Sequence, residues 1–386
     1  MTSGLANGLM EFAAISSAGI TMGGAAQCVA GWGALRHFRA RTAVVATDLP
    51  PVTILKPLHG DEPLLEDALA TCFEQDYPAF QLVFGLQDPQ DPALIVLDRL
   101  RKRFPNVVMD VVVDRTSHGL NRKIGNLINM MPHAAHDVLV IADSDMHVAP
   151  DYLRQLIGAL QQPGVGLVTT LYAGMAATDT LTARLGAAQI NHAFLPGALL
   201  ARVMGRQDCL GATMALTRET LERVGGLRAL SDHLADDAVL GQLVRAEGMN
   251  VTLAGTVPAT TVPETQMPAL FEHELRWART VKSLVPVEFA VSSMQYPLFW
   301  AALTLGISSG EAWAWWLFGV TWLVRGLVAL AVDRDLRVAS PLTIWCLPFR
   351  DLLSMTVVIA SYRTRRVAWR GQVMLATRPS LAPGEG

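Results

Sequence analysis

Hydrophobic and polar positions divide the chain into an apolar beginning, a mixed middle and an apolar C-terminal stretch. From about Leu9 to Leu35 the residues are small and apolar, interrupted by Glu11, Gln27 and a few hydroxyl groups. A run of this length matches the ~20 residues that a helix needs to cross a bilayer. No basic segment precedes the run, so the pattern favours a membrane anchor over a cleaved signal peptide.

Basic and histidine residues follow this run directly: Arg36, His37, Arg39 and Arg41. Under the positive-inside rule they place the chain after Arg36 in the cytoplasm.

The middle of the chain, from Pro50 to about Thr280, alternates short β-type runs with helical stretches. The pattern predicts strands at 52–55, 80–86, 107–113 and 137–142, with helices at 63–73, 92–104 and 123–131. Such alternation is typical of parallel βαβ units that carry helices on both faces of a sheet. Ligands of these sheets bind beyond the carboxyl ends of the strands.

After Thr280 the chain is apolar again, with segments 286–307, 312–332 and 342–362 each long enough to span. The first contains Glu288, Gln295 and prolines, so an interfacial or re-entrant segment is the alternative. Three crossings would leave a basic cluster outside, against the positive-inside rule, whereas a re-entrant first segment leaves two crossings. That cluster is Arg363, Arg365, Arg366 and Arg370.

These stretches predict four regions along the chain. They are an N-terminal transmembrane anchor at 1–36, a cytoplasmic domain at 50–280, interfacial and transmembrane helices at 281–370, and a tail at 371–386. The tail is expected to be disordered from Arg378 onward.

Composition narrows the class of protein. Of the 386 residues, 51% are hydrophobic, which fits a water-soluble domain attached to a few spans. The net charge of -3 argues against a nucleic-acid partner, because nucleic-acid binders usually carry a basic excess. The cysteines are far apart and lack metal-ligand spacing, so reduced thiols are expected. They are Cys28, Cys72, Cys209 and Cys346.

The strongest chemical motif is Asp143-Ser144-Asp145, which follows the buried strand at 137–142. Two carboxylates in this spacing can share a hard divalent cation together with phosphate oxygens. Such a cation neutralises the charge that builds on a departing diphosphate. The alternative is a capped turn before the helix that begins near Pro150.

A second acidic pair, Asp236-Asp237, stands at the start of a helix that runs towards Glu247. Adjacent carboxylates repel each other, and a raised pKa in one of them suits a general base for an alcohol. Helix capping is the simpler interpretation, because helix N-termini favour Asp.

Further candidates are weaker when taken alone. Asp88 follows the strand at 80–86 and could be a turn residue. Lys123 precedes an Asn-rich helix and could reach a phosphate or lie at the surface. In the run from His273 to Trp277, Arg276 offers a bidentate phosphate donor and Trp277 a flat face. An interfacial amphipathic helix is the alternative for this run.

Together these motifs resemble the processive-type inverting glycosyltransferase superfamily with the GT-A fold, of the family 2/21 type. The chain looks like ceramide glucosyltransferases, and the runs 121–132, 136–152 and 273–280 look most like bacterial hopanoid-biosynthesis glycosyltransferases. The resemblance implies an α/β, Rossmann-like GT-A domain with N-terminal and C-terminal transmembrane helices.

The resemblance also implies roles for individual residues. Asp88 would contact the uracil or ribose of a UDP-sugar, and Asp143 and Asp145 would bind its diphosphate through Mg²⁺ or Mn²⁺. Asp237 would be the catalytic base beside Asp236. Three further assignments complete the implied site: Lys123 as a donor-binding residue, Arg276 and Trp277 at the donor or acceptor, and His192 and His273 near the acceptor. His273 stands where the family usually has Gln or Arg.

The function expected from this resemblance is transfer of N-acetylglucosamine from UDP-N-acetylglucosamine to a hopanoid such as bacteriohopanetetrol. It would take place at the cytoplasmic side of a bacterial inner membrane. The close alternative is glucosylation of ceramide from UDP-glucose. An inactive membrane scaffold that binds lipid is an alternative of another class, although such a module has no need of a base beside a metal site.

Overall fold

The computed structural model describes residues 2–41, 44, 46, 48–364, 366–369 and 372–375. Its strands are β1 (Val52–Pro57), β2 (Phe80–Leu86), β3 (Val108–Val113), β4 (Val138–Ala142), β5 (Met146–His147), β6 (Val165–Thr169), β7 (Ala173–Ala176), β8 (Thr213–Thr217), β9 (Asn250–Leu253), β10 (Ala259–Val262), β11 (Arg366–Trp369) and β12 (Gln372–Leu375). Arg365, Arg370 and, apart from 372–375, the predicted tail at 371–386 lie outside the described residues.

The α-helices are α1 (Thr2–Ala40), α2 (Leu65–Phe73), α3 (Ala93–Arg103), α4 (Arg122–Met130), α5 (Tyr152–Leu160), α6 (Leu181–Gln189), α7 (Leu195–Val203), α8 (Arg218–Arg223), α9 (Asp236–Ala246), α10 (Met267–Leu284), α11 (Pro286–Ser292), α12 (Pro297–Ile307), α13 (Ala312–Leu336) and α14 (Leu347–Ser361). A π-helix, Ile190–Phe194, joins α6 to α7. The helices and strands predicted between residues 52 and 142 all form, with ends that differ by one to two residues at most positions.

Two compact units make up the part of the chain that the structure describes. We call the first the sheet unit, formed by Arg41–Ala173 and Gly205–Pro263 with the residues from Ala368 onward. The second, the helical unit, consists of the residues up to Ala40 together with Gly174–Met204 and Glu264–Val367. Residues 174–204 and 264–280 therefore pack with the apolar helices, although they lie inside the stretch 50–280 that was expected to form the cytoplasmic domain.

The sheet unit is built on a seven-stranded mixed sheet with strand order β3-β2-β1-β4-β8-β6-β9. β3, β2, β1 and β4 run parallel to one another, as the alternation of strands and helices predicts. β8 runs antiparallel to both β4 and β6. The sequence made no prediction for β8, and the long segment 174–204 between β7 and β8 gives no single crossover helix that would return the chain parallel to β6.

Alternate residues of each central strand pack into different hydrophobic clusters. Ile54 and Phe84 belong to one cluster, together with residues of α2, α3 and α5. Leu55 and Val83 belong to the other, together with residues of α4 and α9. Because successive side chains of a strand point to opposite faces, these clusters confirm helices on both faces of the sheet.

The helical unit contains the apolar helices. Among the described residues, three helices are long and apolar enough to cross a membrane: Asn7–Ala40, Ala312–Leu336 and Ile344–Ser361. The stretch at 286–307 does not form one helix, because α11 ends at Ser292 and α12 has only 11 residues. A helix of that length is too short to span alone, so two C-terminal candidate spans remain.

Close packing and buried charge hold the helical unit together. A Cβ added at Gly31 of α1 would lie 2.7 Å from the Cβ of Pro196, so glycine permits the approach of α7. Arg350 of α14 is buried, and its guanidinium makes two bonds of 2.8 and 2.6 Å to the Glu274 carboxylate of α10. The same group donates to the backbone oxygen of Leu185 at 3.1 Å.

Replacing Arg350 with leucine leaves the Glu274 carboxylate buried without its partner. We expect Arg350→Leu to lower the free energy of unfolding by about 3–5 kcal/mol, and the double variant Arg350→Leu/Glu274→Leu to recover most of that loss. Melting temperatures in detergent measure both effects. Glu272→Gln, at an exposed position on the same helix, should change nothing. A single variant as stable as the parent protein would contradict the prediction.

Candidate functional site

The Asp143-Ser144-Asp145 motif lies at the carboxyl end of β4, in the short connection to β5. Its backbone and side chains are tied to neighbouring elements. The backbone N–H of Asp143 donates to the oxygen of Ala212 at 3.1 Å. Thr260 of β10 donates to the Asp145 carboxylate at 2.6 Å, and Ser144 donates to Glu62 at 2.8 Å. The carboxylates are therefore held in place rather than left free at a loop tip.

Lys123, in the first turn of α4, brings a positive charge to this motif. Its Nζ lies 2.6 Å from a carboxylate oxygen of Asp143 and 4.0 Å from one of Asp236. A second lysine, Lys56 of β1, is fully buried and donates to the backbone oxygen of Asp143 at 2.7 Å. The sequence singled out Lys123 as a possible phosphate ligand but did not place it beside the acidic motif, and it gave no role to Lys56.

Electrostatics at the motif favour a bound cation. Burial, the Asp143 charge and Glu62 raise the pKa of Asp145 to about 6. Burial acts to lower the pKa of Lys123, but the charges of Asp143 and Asp236 outweigh it and raise that pKa above its usual range. A cation bound to Asp143 and Asp145 would offset the repulsion that contributes to the raised pKa of Asp145.

The second acidic pair begins α9, as predicted, but Asp236 does not cap the helix. The N-cap residue is Ala235, and it makes no side-chain cap hydrogen bond. The buried Asp236 carboxylate instead accepts a bond of 3.2 Å from the Asn121 side chain. Asn121 itself caps α4 by accepting from the backbone N–H of Ile124 at 3.1 Å. Asn121 therefore links the two acidic motifs through α4.

Asp237 points towards Gly211, in the segment that leads into β8. A Cβ added at Gly211 would lie 2.9 Å from the Asp237 Oδ2, so a larger residue there would displace the carboxylate. Burial and the neighbouring Asp236 charge raise the pKa of Asp237 to about 6. Burial also raises the pKa of Asp236, opposed by Lys123 and Asn121. The pKa values of both carboxylates are therefore raised, as a base for an alcohol near neutral pH requires.

Tyr172, which follows β6, is a further group at this site that the sequence did not indicate. Burial, followed by the charges of Asp237, Asp143 and Asp145, raises the pKa of its hydroxyl. Its phenol therefore lies close enough to these carboxylates for their charges to act on it. An aromatic residue between two short strands carries no pattern that marks it as functional.

The donor set at Asp143 and Asp145 fits a hard divalent cation. Across the part of the chain that the structure describes, no group of three or more His, Cys, Asp or Glu residues surrounds one point. Proteins usually bind Mg²⁺ at a nucleotide through one or two carboxylates, and phosphate oxygens and waters supply the other ligands.

Asp88 lies on the surface after β2. Its carboxylate accepts from the backbone N–H of Gln90 at 3.0 Å and contacts Arg115 at 3.4 Å. The buried acid of this loop is Asp91, which accepts from the backbone N–H of Gly60 at 2.9 Å and of Ala93 at 2.9 Å. Asp91 therefore fixes the loop, and Asp88 remains open to solvent.

The remaining predicted residues belong to the helical unit. On α10, His273 hydrogen-bonds to Glu264, and its ring meets Trp277 edge to face with centroids 4.6 Å apart. Arg276 and Trp277 are half-buried on the same helix. His192 lies in the π-helix and bonds to Asp333 of α13 at 2.7 Å.

Comparison with known proteins identifies the family. The model of the family described as "Glycosyl transferase family 21" matches residues 15–380. The chain belongs to this family. The match extends from α1 to the C-terminal residues and so includes both acidic motifs and the apolar helices.

Individual relatives agree with this assignment. A ceramide glucosyltransferase of Caenorhabditis elegans is 21% identical over 252 residues, covering 64% of this chain and 53% of that protein. A ceramide glucosyltransferase of Gibberella zeae is 31% identical over 147 residues, covering 34% of this chain and 28% of that protein. The chain therefore spans about half the length of the nematode relative and less of the fungal one.

A solved structure of another protein has the same fold as this chain. It is a mannosyltransferase of Pyrobaculum calidifontis in complex with GDP-Man and Mn²⁺, 18% identical, with a TM-score of 0.54. The similarity covers 92% of this chain and 99% of that one. The GT-A glycosyltransferase fold expected from the motifs is thereby confirmed.

Proposed function

We propose that this protein is an inverting hexosyltransferase that moves a sugar from a UDP-sugar to the hydroxyl of a membrane lipid. The observation that carries the proposal is the group formed by Asp143, Asp145, Lys123 and Asp237 at the carboxyl edge of a GT-A sheet, in a chain with apolar helices. A lipid-binding scaffold would not need a carboxylate of raised pKa beside paired metal-type ligands.

Donor binding is assigned to residues that can meet a nucleoside diphosphate. Asp143 and Asp145 would hold Mg²⁺ or Mn²⁺, which supplies charge neutralisation for the departing diphosphate when bound. Lys123 adds a positive charge at the same place, and the exposed Asp88, which also contacts Gln90 and Arg115, would accept from a ribose hydroxyl or the uracil N–H. For the helical unit, we assign Arg276 and Trp277 to donor or acceptor binding and His273 to acceptor contact.

The chemical step is assigned to Asp237. Its carboxylate accepts the proton of the lipid hydroxyl, and the hydroxyl oxygen forms a bond to the anomeric carbon while the bond to the UDP oxygen breaks. A single in-line displacement of this kind inverts the configuration of the sugar. A pKa of about 6 leaves most Asp237 ionised at neutral pH and still basic enough to take the proton.

The preferred reaction is transfer of N-acetylglucosamine from UDP-N-acetylglucosamine to a hopanoid such as bacteriohopanetetrol. It is supported by the resemblance in the runs around Asn121, Asp143 and Arg276. The second candidate is glucosylation of ceramide from UDP-glucose, which the names of the relatives favour. Both reactions use the same base and the same metal site.

The membrane arrangement follows from the candidate spans. With one N-terminal and two C-terminal spans, the residues after Arg36 and those after Ser361 would lie on the same side. Arg39, Arg41 and Arg363 then satisfy the positive-inside rule, which supports a cytoplasmic sheet unit at a bacterial inner membrane. UDP-sugars made in the cytosol would reach the site directly.

Metal dependence is the first test of this proposal. We expect EDTA to abolish sugar transfer and added Mg²⁺ or Mn²⁺ to restore it. Asp145→Asn should weaken both Mn²⁺ binding, measured by electron paramagnetic resonance, and UDP binding, because it removes a charge that holds the cation. Asp208→Asn, an exposed carboxylate paired with Arg206, serves as the control. Full transfer in the presence of chelator would remove the metal from the mechanism.

The assignment of the base is tested by Asp237→Asn, which keeps the shape of the side chain but accepts no proton. We expect turnover to fall by roughly two to four orders of magnitude. UDP-sugar binding should persist, since the base acts on the acceptor hydroxyl. Asp236→Asn should act mainly on stability and on the Asn121 contact. If Asp236→Asn abolishes turnover while Asp237→Asn does not, the base is the other member of the pair.

The acceptor is tested by lipid mass spectrometry of membranes from cells that express the protein. With bacteriohopanetetrol and ceramide both supplied, we expect a hopanoid that carries N-acetylhexosamine and no increase in hexosyl ceramide. Cells that express Asp237→Asn provide the control. Hexosyl ceramide as the sole product would establish the second candidate instead.

A further inference from the structure

The short strand β10 lies beside the acidic motif that follows β4. It pairs antiparallel with β5, with Thr260 opposite Met146 and Ala259 opposite His147. Antiparallel pairing fixes which residues lie opposite each other, so this register brings Thr260 to the residue that directly follows Asp145. The reaction described above gives no role to β10, which lies 115 residues from Asp145 in the chain.

Two hydrogen bonds from β10 hold Asp145. The Thr260 hydroxyl donates to the Asp145 carboxylate at 2.6 Å, and the backbone N–H of Thr261 donates to the Asp145 carbonyl oxygen at 3.3 Å. The strand therefore contacts both the side chain and the backbone of this residue. The position of the carboxylate is set by β10 as well as by the connection that carries it.

The bond between Thr260 and Asp145 has the geometry of a strong hydrogen bond. Bonds from a hydroxyl to an ionised carboxylate are about 2.5–2.7 Å long, and the observed bond lies in this range. Thr260 is only 9% exposed, so little water competes for its hydroxyl. Its β-branched side chain also has few χ1 rotamers, which limits the positions of the hydroxyl. The hydroxyl therefore restrains the carboxylate.

The two carboxylates of the motif are restrained by different chemistry. Asp143 is held by a cation, since Lys123 Nζ lies 2.6 Å from its carboxylate oxygen. Asp145 is held by a neutral hydroxyl, which restrains the side chain without cancelling its charge. The contact with Thr260 therefore leaves the negative charge of Asp145 to a bound cation, in a carboxylate whose orientation is already fixed.

We propose that Thr260 is a positioning residue for the divalent cation, because its hydroxyl fixes the orientation of the Asp145 carboxylate before the cation binds. This inference rests on the proposed function, in which Asp143 and Asp145 hold Mg²⁺ or Mn²⁺. A side chain that is already ordered loses less freedom on binding, so affinity increases. Hydrogen-bond partners of metal ligands are typically worth roughly ten- to a hundredfold in metal affinity.

The test is Thr260→Val, which keeps the shape of the side chain and removes the hydroxyl. Mn²⁺ is the probe, and electron paramagnetic resonance measures its binding to the full chain in detergent, alone and with equal UDP in every sample. We expect the dissociation constant for Mn²⁺ to rise roughly ten- to a hundredfold. Thr260→Ser keeps the hydroxyl and should bind Mn²⁺ nearly as the parent protein does. Thr260→Ala provides a second variant without the hydroxyl, should valine disturb the strand.

Thr261→Val is the matched control on the same strand. The Thr261 hydroxyl contacts His147 Nε2 at 2.9 Å rather than Asp145, and the variant keeps the backbone N–H that donates to Asp145. Mn²⁺ affinity should therefore stay at the level of the parent protein, even where the melting temperature falls. A role confined to the pairing of β5 and β10 would instead make the two valine variants alike.

Sugar transfer gives a second readout, which a general loss of stability would not produce. Thr260→Val should need roughly ten- to a hundredfold more Mn²⁺ for half-maximal transfer, because its site binds the cation more weakly. Excess Mn²⁺ should restore most of the rate by mass action. The KM for the lipid should be unchanged, since Asp145 is assigned to the donor.

Equal Mn²⁺ affinity in the parent protein, Thr260→Val and Thr260→Ala would overturn the inference and leave the proposed function intact. The same holds if Thr260→Ser or Thr261→Val binds Mn²⁺ as weakly as Thr260→Val. Mn²⁺ binding that depends on Thr260, in a protein that transfers no sugar, would support the inference and refute the proposed function. A parent protein that binds no Mn²⁺, alone or with UDP, would overturn the inference together with the metal role of Asp143 and Asp145.

Discussion

The ammonium group of Lys123 is the contact on which the arrangement of the acidic site depends. It lies 2.6 Å from Asp143 and 4.0 Å from Asp236, so it joins carboxylates from two distant motifs that would otherwise repel each other. Asn121 strengthens the same link by capping α4 and donating to Asp236. The start of α4 thus places one ammonium group between the two acidic motifs.

The two acidic pairs suit two different chemical roles, cation binding and proton acceptance. Burial, followed by the charge of Asp143, raises the pKa of Asp145, so a cation held by both carboxylates would be favourable. Asp237 stands next to Asp236 against Gly211, where its raised pKa makes it a stronger base than an exposed carboxylate. We therefore assign cation binding to the pair Asp143 and Asp145, and proton acceptance to the pair Asp236 and Asp237. Both assignments depend on the burial of these carboxylates.

The helical unit uses buried charge in two distinct ways. Glu274 and Arg350 satisfy each other with short bonds, which is the geometry that lets a buried ion pair offset its desolvation. The His192–Asp333 contact is equally short at 2.7 Å, but Arg325 makes only long bonds of 3.4 Å to Asp351 and to the backbone oxygen of His192. The helical unit therefore contains one closely satisfied ion pair and one buried polar cluster that is bonded more loosely.

The sequence by itself determined the features that depend on neighbouring residues. The apolar run before Arg36, the strand that ends in Asp143-Ser144-Asp145 and the helix that starts at Asp236 were all evident, because period and local charge set them. Only the tertiary structure showed the buried Lys56, the Asn121 contact to Asp236 and the pairing of His192 with Asp333. For the same reason, the sequence did not show that β8 runs antiparallel or that 174–204 pack in the helical unit. Each depends on partners dozens of residues away, and no local pattern records which distant groups a side chain will meet when the chain folds.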